Sequence, residues 1–217
     1  MSVATTDYLA AIAHLPAGAV LRIDDVSWGE YENLLADLGE SSVRIFYDQG
    51  RMEVMAPASA HEKPKGVIHT LVTAIRDELD IDVESLGSTT LKADLQARGA
   101  EPDDCFYIQN AALVIGKEDV DLNHDPAPDL VIEIDHTSAS LDKLTIYAGL
   151  GVPEVWRLKG HQVQIYLLTG GGYDESPTSR AFPFVSGQTL SEFLVQGLTE
   201  GERKVARDFR VWIREHH

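Results

Sequence analysis

Asp103, Glu133 and Lys143 have the types and spacing that phosphodiester chemistry calls for. Asp103 stands in Glu101-Pro102-Asp103-Asp104, just before the strand-like run Cys105-Phe106-Tyr107-Ile108. Glu133 lies inside a second such run, Pro128-Asp129-Leu130-Val131-Ile132-Glu133-Ile134. A carboxylate beside an apolar strand is expensive to bury unless a cation or a hydrogen-bond donor compensates it. Two of them on adjoining strands point to one shared compensator, and a divalent ion, Mg2+ or Mn2+, fills that place with oxygen ligands. Asp103 and Glu133 would be the ligands, with a backbone carbonyl beside Glu133 as a third. Lys143 follows ten residues after Glu133, in a helix-like segment, where an amine would orient or deprotonate water and offset phosphate charge.

The same residues also have structural readings. Lys143 shares a helix face with Ile146, Tyr147 and Leu150, which equally suits a lysine whose amine reaches water. Asp103 and Asp129 both fit Pro-Asp turns, and Asp129 begins its strand. Glu133 falls on the strand face of Val131, opposite Leu130, Ile132 and Ile134, and a half-exposed strand would turn that face to solvent. His61 precedes a long helix and can approach the site from there, or act as a cap or surface residue. His69 belongs on that helix's polar flank, and His136 directly follows the Glu133 strand. No His-Glu-x-x-His pattern, phosphate-binding glycine loop or Gly-x-Ser-x-Gly elbow is present, which removes zinc peptidase, nucleotide kinase and serine hydrolase chemistry.

Several elements must position these groups. Residues 28–38 have apolar positions at helical spacing, and the first 40 residues read as a cover over the core. Residues 43–47 and 52–55 flank Asp48-Gln49-Gly50-Arg51, a hairpin signal. A helix is expected over about 64–79, where Val67, Ile68, Leu71, Val72, Ile75 and Leu79 recur and Pro64 suits the first turn. Strand material follows at 81–84, 88–91 and 103–108, then a loop over 116–128. After the strand at 130–134, Ser138 or Ser140 can cap a helix that Gly151 and Pro153 end. Residues 155–158 and 163–168 form a second hairpin, and Gly170–Gly172 an exposed turn. From Glu200 onward an amphipathic helix places Val205, Phe209 and Trp212 on one side.

A chain of 217 residues with 44% hydrophobic and 24% charged residues fits a single globular domain. There is no membrane-length apolar run and no signal-peptide pattern, and the lone Cys105 excludes an internal disulfide and a thiolate zinc site. A cytoplasmic location is expected. The formal charge of −17 argues against tight nonspecific DNA binding, since duplex DNA is a polyanion.

Taken together, Pro128–Ile134, Ser138, Asp142-Lys143-Leu144, Tyr147 and Gly151-Val152-Pro153-Glu154-Val155-Trp156 closely resemble the Uma family of putative restriction endonucleases. Glu101-Pro102-Asp103 with Phe106–Ile108, and the hairpin Tyr47–Met55 with Pro57 and His61, resemble it too. The match covers about residues 25–170, which are expected to form the nuclease-like core. The resemblance places the chain in the PD-(D/E)XK nuclease superfamily. It implies an α/β fold with a restriction-endonuclease-like core, a central mixed β-sheet flanked by helices. An N-terminal helix and hairpin addition and a C-terminal helical extension complete it. It also implies dependence on Mg2+ or Mn2+ and cleavage of DNA, with DNA held weakly when metal is absent. Asp103, Glu133 and Lys143 take the catalytic positions, with Asp129, Tyr147, Glu101 and His61 as auxiliary residues and Tyr147 supporting Lys143. The usual lysine of the superfamily stands two residues after the second acid, where this chain has Asp135. That departure leaves a second function open, an inactive member of the fold acting through protein contacts. A homodimer is expected, because two strands are to be cut and the terminal helix offers an apolar side.

Overall fold

The structure is a computed structural model and describes residues 5–39, 41–56, 62–135 and 142–217. In chain order the elements are α1 (Thr5–Ala13), β1 (Val20–Ile23), α2 (Trp28–Leu38), β2 (Arg44–Asp48), β3 (Arg51–Met55) and α3 (Glu62–Leu79). Four short strands follow, β4 (Glu84–Ser85), β5 (Leu91–Ala93), β6 (Arg98–Ala100) and β7 (Asp104–Tyr107), then α4 (Ala111–Val114). The rest comprises β8 (Leu130–Asp135), α5 (Lys143–Leu150), β9 (Glu154–Lys159), β10 (Gln162–Thr169), β11 (Gly172–Ser176), α6 (Gly187–Glu200) and α7 (Glu202–His216).

Two sheets result. The first has strand order β1-β3-β2-β6-β5 and is antiparallel throughout. The second, β11-β10-β9-β8-β7-β4, is mixed, because β8 and β9 run parallel across the α5 connection. The architecture is thus α/β with a mixed central sheet flanked by helices. On one face of that sheet, α3, α6 and α7 bury Ile68, Leu71, Leu190, Leu194, Val205 and Phe209 against Ile132, Ile134, Trp156 and Leu158. On the other face lies α5, whose Ile146, Tyr147 and Leu150 pack with Val131 and Val155 below and with Phe46, Leu91 and Ala100 of the antiparallel sheet above. Helix α5 therefore lies between the two sheets.

Local signals explain most of these elements. Ser27 and Glu30 form a reciprocal capping box at the start of α2. Gln49 and Gly50 both take positive φ, 49° and 97°, as a two-residue hairpin turn of the I′ kind requires. The structure also departs from expectation. The first 40 residues are more than a cover: α1, β1 and α2 build their own core, with Tyr8, Ile12, Tyr31 and Leu34 against Ile45, Tyr47 and Val54. Strand β6 was not expected, because Gly99 interrupts its alternation. Tyr31 fills the space beside Gly99 instead. The C-terminal extension is two helices rather than one, and the exposed turn expected over Gly170–Gly172 is found at Gly170 and Gly171, with an unexpected strand, β11, starting at Gly172. The buried face of α7, with Val205, Phe209 and Ile213, is covered by α3 and α6 of the same chain, so it offers no dimer interface.

Two glycine replacements test this packing. A Cβ on Gly99 would lie 2.0 Å from the Tyr31 hydroxyl and 2.6 Å from its ring, inside a fully buried layer. Gly99→Ala is expected to lower unfolding free energy in urea by about 1–3 kcal/mol. Gly29, in α2, has open space around it, and Gly29→Ala is expected to raise stability by roughly 0.5–1 kcal/mol.

Candidate active site

Strand register places the candidate residues. Asp104 on β7 pairs with Ile132 on β8, so the next step outward along this antiparallel ladder brings Asp103 opposite Glu133. On the other side of β8, Glu133 pairs with Arg157 on β9. Alternation turns Val131, Glu133 and Asp135 toward α5, and the residues between them toward α3. Glu133 therefore faces a helix rather than solvent, and is only 2% exposed.

That helix meets it with two groups one turn apart. Lys143 Nζ donates to Glu133 Oε2, and Tyr147 Oη donates to Glu133 Oε1. The Lys143 ammonium also lies 4.2 Å from the centroid of the Phe46 ring on β2, a cation–π contact. Asp103 is 4% exposed, and its Oδ2 accepts the Ile134 amide at 2.8 Å. The electrostatics follow from burial. Desolvation pushes the Glu133 carboxyl above the usual range; Lys143 and Tyr147 work against that shift, and the Asp103 charge adds to it. Burial disfavours the Lys143 ammonium, but the facing Glu133, with Asp103 and Asp135 behind it, raises its pKa on balance. Burial beside Glu133 holds the Tyr147 phenol well above its ordinary value.

Asp103, Glu133, Lys143 and Tyr147 thus share one site. Tyr147 was expected to support Lys143; it bonds instead to the other oxygen of the same carboxylate. Asp129 and Glu101 lie outside this cluster. Asp129 accepts from the Ile108 and Asn110 amides and the Asn110 side chain, at 2.7–2.9 Å, and so fixes the turn before α4. Glu101 accepts from the Ile45 amide and the Thr90 hydroxyl, both at 2.8 Å, and ties β2 to the chain leading into β5. His61, His136, Ser138 and Ser140 lie outside the described residues.

Two polar arrangements were not anticipated. Arg157 Nε donates to Asp135 on the same sheet face as Glu133. On the opposite face, His69 Nδ1 lies 2.8 Å from Asp104 Oδ2, and the Ser85 hydroxyl donates to Asp104 Oδ1 at 3.2 Å. The bond to Asp104 raises the His69 pKa, against the opposing effect of burial. Both pairings depend on strand or helix register, which spacing along the chain does not reveal.

No group of three or more His, Cys, Asp or Glu side chains suited to a metal occurs among the described residues. The donor chemistry at Asp103 and Glu133 nonetheless fits a hard divalent ion. Both are carboxylates, and magnesium is commonly held by one or two carboxylates with water and phosphate oxygens completing the shell.

The profile of the Uma2 family, described as putative restriction endonuclease, matches residues 28–199. Among solved structures, a putative nuclease belonging to DUF820 from Anabaena variabilis ATCC 29413 has a similar fold, with a TM-score of 0.55 at 17% identity. The superposition covers 78% of this chain and 99% of that one. No curated protein matches the chain.

The buried pair generates a pH-dependent prediction. Lys143→Met leaves Glu133 without its counter-charge and is expected to destabilise the protein by about 3–5 kcal/mol at pH 8. Burial raises the folded-state pKa of Glu133 above its unfolded value, so the folded chain keeps a proton that the unfolded chain has released. Stability of the variant therefore falls as pH rises through that window, and its deficit in urea denaturation should be smaller at pH 5. Adding Glu133→Gln should restore most of the loss at pH 8.

Proposed function

The chain belongs to the Uma2 family of putative restriction endonucleases, and from that premise we propose that it is a divalent-metal-dependent DNA endonuclease acting at the Asp103–Glu133–Lys143 site. The observation that carries this reading is the meeting of Lys143 with Glu133, across ten residues and two elements, beside Asp103. Asp103 and Glu133 would hold Mg2+ or Mn2+. When bound, such an ion supplies charge neutralisation on phosphate oxygens and a water of lowered pKa.

The chain's own groups have distinct tasks. Tyr147 fixes one oxygen of Glu133, which limits that carboxylate to one orientation. The Asp103 carboxylate is held by the Ile134 amide. Because its neighbours favour the charged form, Lys143 acts as a hydrogen-bond donor that orients water and faces the scissile phosphate, rather than as the base that removes a proton. Phe46 and the apolar residues around α5 keep bulk water from screening these charges.

We assign the chain to the cytoplasm, in keeping with a free, buried Cys105. No helix among the described residues is long and apolar enough to cross a membrane. A pair of chains related by a twofold axis is the simplest arrangement for cutting both strands of a duplex.

Plasmid nicking in magnesium or manganese tests the activity: wild type should nick, and Glu133→Ala should lose activity by at least a hundredfold. Millimolar metal should also raise the wild-type melting temperature, by a stabilisation of about 2.7 kcal/mol at a hundred times Kd, and Glu133→Ala should remove most of that shift. A chain that neither nicks nor responds to metal would favour the protein-interaction role. Light scattering at micromolar concentration should give a mass about twice the 23.8 kDa of one chain, and a mass near that of one chain would refute dimerisation.

A further inference from the structure

We propose that Arg157 contacts a backbone phosphate of the nucleic-acid strand lying over Glu133, as a binding residue that the motif residues do not include. This rests on the reading of the Glu133 site as a nuclease site. Arg157 is the register partner of Glu133, and on a parallel pair such partners present side chains to the same face. A row therefore runs across the sheet from Asp103 through Glu133 to Arg157. Lys143 is committed to Glu133 and only 11% exposed, whereas the Arg157 side chain is 40% exposed.

The geometry of the guanidinium matters as much as its charge. Asp135, two residues past Glu133 on the same face, accepts from Arg157 Nε. That bond fixes the side chain while its two terminal amino groups have no partner among the described residues. A guanidinium held at Nε presents a planar fork, which matches two oxygens of one phosphate. The local charge favours the same role. Three carboxylates, Asp103, Glu133 and Asp135, stand against two cations, Lys143 and Arg157, leaving one net negative charge. Without Arg157 the excess would be two, and the row would keep one cation, Lys143, which is 11% exposed and bonded to Glu133.

A purely structural ion pair predicts a different result from a phosphate contact. Binding of a fluorescently labelled duplex is measured by anisotropy in EDTA, where no cleavage occurs, over a series of salt concentrations. Arg157→Ala should weaken binding by about tenfold and reduce the slope of log K against log salt by about 0.9, the signature of one lost phosphate contact. Arg157→Lys should keep the slope and recover only part of the affinity. Arg157→Gln, which retains a donor for Asp135, guards against a folding defect in the alanine variant and should show the same loss of slope. Unchanged affinity and slope in both neutral variants would overturn the phosphate contact, as would a wild type with no measurable DNA binding at low salt. An Arg157-dependent slope in a wild type that fails to nick with magnesium or manganese would leave the contact standing and overturn the nuclease reading instead.

Discussion

Glu133 sits on a central strand with almost no exposed surface, and its charge has to be met where it stands. Lys143 and Tyr147 meet it from above, both from α5 and one turn apart. Everything that places α5 is therefore part of the site. The helix is eight residues long and would not persist alone in water, so its position comes from the layers on either side. Ile146, Tyr147 and Leu150 are held by β8 and β9 on one side and by β2, β5 and β6 on the other.

The antiparallel sheet is thus a clamp on α5. The layers approach tightly at Gly149, where an added Cβ would lie 1.9 Å from an Arg98 nitrogen. Arg98 cannot easily yield that space, because its Nε is bound to the buried Asp48, which also accepts from Arg51. Asp48 closes the β2–β3 hairpin, so a turn more than ninety residues before Lys143 helps fix the height of α5. The Phe46 ring, on the same strand, carries this support to the Lys143 ammonium itself.

Legibility in the sequence follows from range. Glu133's facing was readable, because Val131 and Glu133 alternate with three apolar neighbours; what lay opposite that face was not. Helix α3 announces itself through its period and Pro64, and strand β8 through its apolar run, and each is found close to its expected bounds. Strand β6 is three residues long with a central glycine, so it has no period to detect. Helix α6 begins at Gly187 after a stretch rich in proline and serine, and its apolar positions were hidden behind that start. Asp129 and Glu101 look like site acids in one dimension because Pro-Asp and Glu-Pro-Asp abut strands. Only the fold shows that their oxygens are taken by backbone amides. Asp135 looked like a missing lysine; in three dimensions it is the anchor of Arg157, a pairing that needs the parallel register of β8 and β9.

The same local view resolves the tension between a charge of −17 and a nucleic-acid substrate. At physiological ionic strength the field of an exposed charge decays over about 8 Å, so a phosphate over Glu133 responds to the groups of that row and little to distant acids. Many of those acids are in any case met where they stand, as Asp77 and Glu78 are by Arg210 and Arg214 of α7. Within the row, cations fall one short of carboxylates. On the nuclease reading a divalent ion at Asp103 and Glu133 reverses that balance from one net negative charge to one net positive. The ion would then strengthen the hold on the strand as well as serve the cut, and without it a chain this acidic would hold DNA only weakly.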